Sequence, residues 1–382
     1  MTGKAPTGRS IAPRPGILDI TPYEGGQSRI AGRDAAIKMS SNEGALGPSP
    51  RALAAFRAAS ETLARYPDGG STALREAIGA RFGLDPAHIV CGAGSDELLG
   101  QMARGYAGEG DEVLYSEHGF LIYPIAARAV GAVPVKVPET NLTADVDALI
   151  ARAGNRTRLV YIANPNNPTG SYLDADALRR LRRGLPDGVI LVIDAAYAEF
   201  VTADDYDAGI ALVNENDNDN VVMTRTFSKI FGLGGLRIGW AYGPAHIVDV
   251  LNRLRMPFNV STAAQAAGIA ALADRAHQNT AARHNAAMRA RMTEALRAAG
   301  ITVPPSQGNF VLARFSAEAE AAAADAFLKD CGIIVRGVAG YGLPESLRIT
   351  VGRTEECKAV CDALTRFMAE RKAGATGGQS RG

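Results

Sequence analysis

From about residue 50 onward, short runs of β-branched and aliphatic residues alternate with longer amphipathic segments rich in alanine. The apolar runs fall at residues 89–91, 112–115, 133–137, 159–163, 189–195, 221–226 and 238–242. Helical spacing of the apolar positions marks residues 51–63, 72–82, 96–105 and 175–183. A run that is apolar throughout, without polar alternation, suits a strand covered on both faces. The alternation therefore predicts an α/β fold, a mainly parallel seven-stranded sheet sandwiched by helices.

The pattern changes after residue 262. Residues 262–299 are nearly all helix formers without proline and predict one long helix or a helix pair leaving the sheet. Strands at 310–315, 333–338 and 347–351, with helices at 317–330 and 354–371, then predict a smaller α+β unit. Residues 1–22, rich in Pro, Gly and Ser, predict an irregular arm, and the Gly, Ser, Thr and Gln beyond Ala373 predict a disordered tail. The expected organisation is an arm over 1–44 that joins the small domain, a large domain over 45–270, a small domain with its linking helix over 271–372, and the tail over 373–382. No internal repeat is present.

Composition narrows the function classes. The 382 residues suffice for two domains with sizeable cores. Lys plus Arg (41) nearly cancels Asp plus Glu (40), so the chain as a whole has no electrostatic reason to seek nucleic acid or an anionic membrane. Any anion must be gripped locally. Cys91, Cys331, Cys357 and Cys361 form no disulfide framework, and Cys357 and Cys361, one helical turn apart, suit buried packing better than a metal pair. The five histidines form no cluster, so no metal is expected; His118 alone lies near the motifs described next. Residues 1–10 lack the apolar stretch of a secretory signal, and no uncharged run reaches the ~20 residues of a membrane span. A cytoplasmic enzyme is the expectation, by elimination.

Four segments carry candidate chemistry. Cys91-Gly92-Ala93-Gly94-Ser95-Asp96-Glu97 reads as strand, glycine turn and helix start, where free N–H groups and the helix dipole favour a phosphate. Ser95 or Asp96 could equally be a plain helix cap. The third glycine of a dinucleotide fingerprint is missing, because position 97 is Glu. Asn164-Pro165-Asn166-Asn167-Pro168-Thr169-Gly170 follows a strand and is either a simple turn or part of a ligand crevice, with an Asn donating to a ring oxygen. Asp194 ends a strongly apolar strand in Val192-Ile193-Asp194-Ala195-Ala196-Tyr197. It either caps a following helix or needs a partner such as a protonated pyridine nitrogen. Lys229, in Thr226-Phe227-Ser228-Lys229-Ile230-Phe231-Gly232, either snorkels to solvent or is a desolvated amine suited to Schiff-base chemistry. Arg237, eight residues later, can return to the anion that Ser228 reaches.

Taken together and in this order, the four motifs resemble the fold-type I pyridoxal-phosphate aminotransferases over about residues 20–370. The resemblance implies that Lys229 holds pyridoxal 5′-phosphate covalently and that Asp194 pairs with its pyridine nitrogen. It implies that Asn167 and Tyr197 bond the ring oxygen and Phe120 stacks on the ring. The phosphate falls to the Gly94 turn, backbone groups of Ser95 and Asp96, Thr226, Ser228 and Arg237. Finer details, Ser41-Asn42-Glu43, Arg65-Tyr66-Pro67-Asp68 and Leu347-Arg348-Ile349-Thr350-Val351-Gly352, resemble the histidinol-phosphate aminotransferase family. That resemblance implies a homodimer with shared sites, in which Tyr66 reaches the neighbouring subunit's cofactor phosphate. It assigns Arg348 to the substrate carboxylate, Tyr23 and Arg336 to the substrate phosphate end, and Asn42 and Asn167 to the substrate wall. The implied reaction moves the amino group of histidinol phosphate to 2-oxoglutarate, giving imidazole-acetol phosphate and glutamate in histidine biosynthesis. An aromatic amino acid aminotransferase shares the framework, and a threonine-phosphate decarboxylase would use the same lysine. One departure is visible, Gly44-Ala45 where the family usually has Asn-Pro.

Overall fold

The computed structural model describes residues 12–33, 35–215 and 219–378. The part of the expected arm before residue 12 and of the expected tail beyond residue 378 lies outside these. In chain order the strands are β1 (Ile37–Lys38), β2 (Ile89–Gly92), β3 (Glu112–Ser116) and β4 (Val133–Val137). A short hairpin, β5 (Glu139–Thr140) and β6 (Thr143–Ala144), precedes β7 (Thr157–Ala163), β8 (Ile190–Asp194), β9 (Val221–Thr226) and β10 (Gly239–Tyr242). The remaining strands are β11 (Phe310–Arg314), β12 (Ile333–Ile334), β13 (Arg336–Val338) and β14 (Leu343–Thr350).

All seven apolar runs of the first 242 residues enter one sheet of order β2-β10-β9-β8-β7-β3-β4. β4, β3, β7, β8 and β9 pair in parallel, and β10 runs antiparallel to both its neighbours. The absence of polar alternation has the expected cause. Val160, Ile162, Leu191, Ile193 and Met223 enter the core on one face, while Leu159, Tyr161, Ile190, Val192 and Val222 enter the core on the other. Each central strand is thus buried twice over, which is why its sequence reads as a continuous apolar run.

The long helical segment resolves into a pair, Thr262–Ala273 and Arg275–Ala298, separated at Asp274. Asp274 leaves helical backbone geometry (φ −90°, ψ 68°), and its side chain accepts from the His277 N–H at 3.2 Å, ending one helix and capping the next. The small unit is an antiparallel sheet, β11-β14-β13, against the helices Glu318–Asp330 and Thr354–Gly378. Residues 333–338, expected as one strand, divide between sheets: β12 pairs in parallel with β1, and β13 with β14. Ile37 and Met39 are thereby stitched to the small unit, with Met39 fully buried in its core beside residues such as Val311 and Ile349. The final helix continues past Ala373, where disorder was expected, to Gly378. Among the described residues no helix is long and apolar enough to cross a membrane.

Candidate active site

Asp194 is the last residue of β8, and the loops that follow β2, β3, β7 and β9 emerge along the same carboxyl edge of the sheet. They bring Ser95, Phe120, Asn167 and Lys229 around one cavity of about 480 Å³, closed on its other side by residues 40–44, Arg336 and Arg348. The crevice beyond the strand ends is the usual ligand site of such sheets.

Asp194 is 5% exposed and lines the cavity. Thr224 lies opposite it in register on β9 and donates to Oδ1 at 3.3 Å, and the Tyr123 hydroxyl donates to Oδ2 at 2.9 Å. Burial pushes the carboxyl up to about 6; the hydrogen bonds from Tyr123 and Thr224 and the nearby Lys229 oppose this rise, while Asp96 adds to it. The alternative role as a helix cap does not hold: Tyr197, not Asp194, precedes the short helical turn Ala198–Phe200.

Lys229 lines the cavity, with Nζ 3.4 Å from the Ser41 carbonyl and 5.6 Å from the centre of the Tyr197 ring. Its enclosure first, and the Arg348 guanidinium second, bring the ammonium down to about 8. Snorkelling to bulk solvent is therefore excluded, since the amine ends inside the protein's own cavity. The Tyr197 hydroxyl accepts from the Asn42 amide at 2.9 Å. Asn42 is itself pinned: its N–H donates to Thr350 Oγ1 at 3.0 Å, and its carbonyl accepts from the Asn309 amide at 3.1 Å.

Arg348 is 6% exposed. It donates to the Asn167 side-chain oxygen and to the Ser40 carbonyl, the latter at 2.8 Å, and its guanidinium lies 5.6 Å from the centre of the Phe310 ring. Among the described residues no carboxylate lies within ion-pair reach of it. Arg336 stands directly opposite Arg348 in the β13–β14 register, and both line the cavity. Arg336 donates to the carbonyls of Gly25 and Glu24 at 2.6 and 2.7 Å, holding residues 23–26 over the opening. Tyr23 packs edge-on against Phe120 there, ring centres 6.0 Å apart. Like charges facing each other across a strand pair are unfavourable unless an anion joins them.

At the opposite end, Ser95 begins the helix Ser95–Tyr106, and Gly94 caps it without any side-chain acceptor, leaving first-turn N–H groups available. Arg237 Nη1 lies 3.4 Å from Ser228 Oγ, and Thr226 Oγ1 donates to the same serine oxygen at 2.9 Å. Arg237 also pairs with Asp96 at 3.1 Å, so the Asp96 side chain steadies the arginine. Gly94 sits at φ 91°, a left-handed conformation that favours glycine, and it leaves room for the Arg237 guanidinium beside it.

Fourteen of the sequence-derived site residues thus meet in one cavity, and Gly94 adjoins it. Tyr66 does not: it is 83% exposed and stacked on Phe258 at 4.6 Å. The unusual Gly44 has a local reason. A Cβ there would stand 2.6 Å from the Lys229 carbonyl oxygen, so the 44–47 loop as built admits only glycine against the lysine loop. Tyr123 and Thr224 were missed from sequence. Their signals were weak but present: Tyr123 falls in the same segment as Phe120, and Thr224 shares a strand face with Thr226.

This sheet, with a buried carboxylate and an enclosed lysine at its carboxyl edge, suits an enzyme of the aminotransferase class. The chain belongs to the family "Aminotransferase class I and II", whose profile matches residues 34–364. Within it, the chain is 61% identical over 357 residues to the histidinol-phosphate aminotransferase of Rhodospirillum centenum, covering 93% of this chain and 98% of that one. It is 58% identical over 359 residues to the enzyme of the same name from Rhodospirillum rubrum, covering 94% and 97%. The crystal structure of histidinol-phosphate aminotransferase from Sinorhizobium meliloti in complex with pyridoxal 5′-phosphate superposes with a TM-score of 0.83 at 31% identity, covering 89% of this chain and 92% of that one.

Proposed function

We propose that this protein is a pyridoxal-phosphate-dependent aminotransferase that converts histidinol phosphate and 2-oxoglutarate into imidazole-acetol phosphate and glutamate. The observation that carries the reading is the pairing within one cavity of an enclosed lysine and a buried carboxylate at one end with two facing arginines at the other. Relatives carrying that activity in their names match nearly the whole chain.

The residues present fit the cofactor by their donor chemistry. A carboxylate that is buried and still hydrogen-bonded as an anion suits a protonated pyridine nitrogen. The uncapped start of the helix Ser95–Tyr106, with Thr226, Ser228 and Arg237, suits the phosphate. Asn167 and Tyr197 suit the ring oxygen, and Phe120 the ring face. When bound, the cofactor supplies an electron sink for the charge left when the C–H bond at the amine-bearing carbon breaks. Lys229, its amine brought down to about 8, would hold the cofactor and would move the proton from that carbon to the cofactor, so that the substrate leaves as the ketone and the amino group stays behind. Asp194 would pair with the ring nitrogen and favour its protonated form. Arg348 grips the carboxylate of 2-oxoglutarate with both guanidinium nitrogens, and Arg336 with Tyr23 holds the phosphate end of histidinol phosphate.

The reading includes a homodimer. Leu53, Phe56, Leu63, Met256 and Phe258 are 38 to 72% exposed, and Phe258 stacks on Tyr66; such exposed apolar side chains support association with a second copy. Tyr66 then reaches the phosphate of the neighbouring cofactor. The deciding experiment supplies histidinol phosphate and 2-oxoglutarate to the purified protein. Glutamate and the ketone should form in equal amounts without CO₂. Release of CO₂ from threonine phosphate would instead favour a decarboxylase, and preference for phenylalanine an aromatic enzyme.

A further inference from the structure

We propose that Tyr123 is a positioning residue for Asp194: its phenol hydroxyl, donating to Oδ2 at 2.9 Å, keeps that carboxylate ionised and fixed toward the ring nitrogen of the cofactor. The proposal rests on the functional reading above, since it assigns the tuning of the ring-nitrogen partner.

Tyr123 lies at the start of the helix Ile122–Ala129 and is 1% exposed. A phenol so deeply buried requires an acceptor, and the carboxylate of Asp194 is the one it has. The ring has little freedom to turn away. It stacks on Tyr161 with centres 4.8 Å apart and planes 3° from parallel. Tyr161 is anchored in turn, because its hydroxyl donates to the Leu99 carbonyl at 2.7 Å. Tyr115 meets Tyr123 edge-on from β3 at 6.4 Å, and Phe120 meets it at 6.0 Å with planes 88° apart. One aromatic block thus holds both the ring-stacking candidate Phe120 and the donor to Asp194.

The titratable groups that bear on Asp194 are Tyr123 from this helix, Asp96 from the helix Ser95–Tyr106, Tyr161 from β7, Lys229 from the loop after β9, and Tyr197 and Tyr206 from the segment after β8. Only Tyr123 among these, of the described residues, is hydrogen-bonded to it; Thr224 is its other donor. Burial favours the protonated acid over the anion, and a neutral acid holds a pyridinium poorly. The Tyr123 proton, donated to the anion, opposes that tendency. The phenol stays a phenol, because burial and the adjacent carboxylate both raise its pKa well above the ordinary value.

The test is a pH titration of the visible absorption of the lysine-linked cofactor in the holoenzyme, with cofactor retention after dilution as a second readout. A protonated ring nitrogen withdraws electrons and lowers the pH of that titration. Tyr123→Phe, which keeps the stack and removes one oxygen, should move the titration up by about half a unit or more. It should also weaken cofactor retention about tenfold. Site-specific 3-fluorotyrosine at 123, a stronger donor that preserves the ring, should move the titration down and keeps the test open if Tyr123→Phe does not fold. Tyr115→Phe, removing a hydroxyl from the same block without touching Asp194, should leave it unmoved. Titrations of the Tyr123 variants that coincide with wild type would overturn the positioning role alone. A wild-type protein that shows no lysine-linked absorption would overturn both this proposal and the functional reading.

Discussion

The Asn42 amide donates to the Tyr197 hydroxyl at 2.9 Å, joining a segment stitched to the small unit with the residue that follows the central strand of the large sheet. Asn42 sits at φ 55°, a left-handed conformation that asparagine tolerates better than most residues. Asn42→Ala should therefore lower stability by about 2–4 kcal/mol, combining the lost buried hydrogen bonds with backbone strain. Asn42→Gly relieves the strain and should recover part of the loss. Thermal unfolding of the two variants, with cofactor retention measured alongside, checks this.

The shifted groups give the cofactor-free protein a distinctive pH profile. Lys229 sits near 8, below the ordinary ~10.4, so between these values the unfolded chain binds more protons and stability rises with pH. Asp194 sits near 6, above the ordinary ~3.9, so between these values the folded chain binds more protons and stability falls as pH rises. Chemical denaturation across pH 4 to 10 should show both limbs. The rate of covalent cofactor attachment should rise through about pH 8, and Arg348→Gln should push that midpoint upward by removing the nearby cation.

Arg348→Lys should separate the two half-reactions. A lysine cannot grip a carboxylate with two parallel hydrogen bonds, so KM for 2-oxoglutarate should rise about tenfold or more. The histidinol phosphate half-reaction, whose donor has an alcohol in place of the carboxylate, should change less. Rapid mixing with each substrate alone provides the comparison.

Gly44→Ala places a methyl group 2.6 Å from the Lys229 carbonyl oxygen unless the loops part. Displacing the lysine backbone by a few tenths of an ångström should reduce kcat about tenfold while the cofactor remains attached. Steady-state rates and the visible spectrum of one preparation check both halves of this expectation.

Much of the fold, and the meeting of the candidate cofactor residues in one cavity, was legible in the sequence because both follow from strand ends. Asp194, Asn167 and Lys229 each end or follow an apolar run, and a parallel sheet gathers such positions at one edge. The contacts of Tyr123 and Thr224 with Asp194 were not legible, because a tyrosine among apolar residues reads as core. Register and packing, which link positions 123, 194 and 224, leave no local pattern. The two-residue strand Ile37–Lys38 is too short to show periodicity, so the attachment of residues 37–39 to the small unit emerged only from pairing. The facing of Arg336 and Arg348 likewise depends on a register that bulges at Gly337, which no spacing in the sequence reveals.

Histidinol phosphate alone, mixed with the cofactor-loaded protein, gives the most direct test of the transamination. The visible absorption should disappear with release of one equivalent of imidazole-acetol phosphate per site and return on adding 2-oxoglutarate, and neither event should occur in Lys229→Ala. Unchanged absorption with histidinol phosphate, or much faster bleaching by phenylalanine, would contradict it.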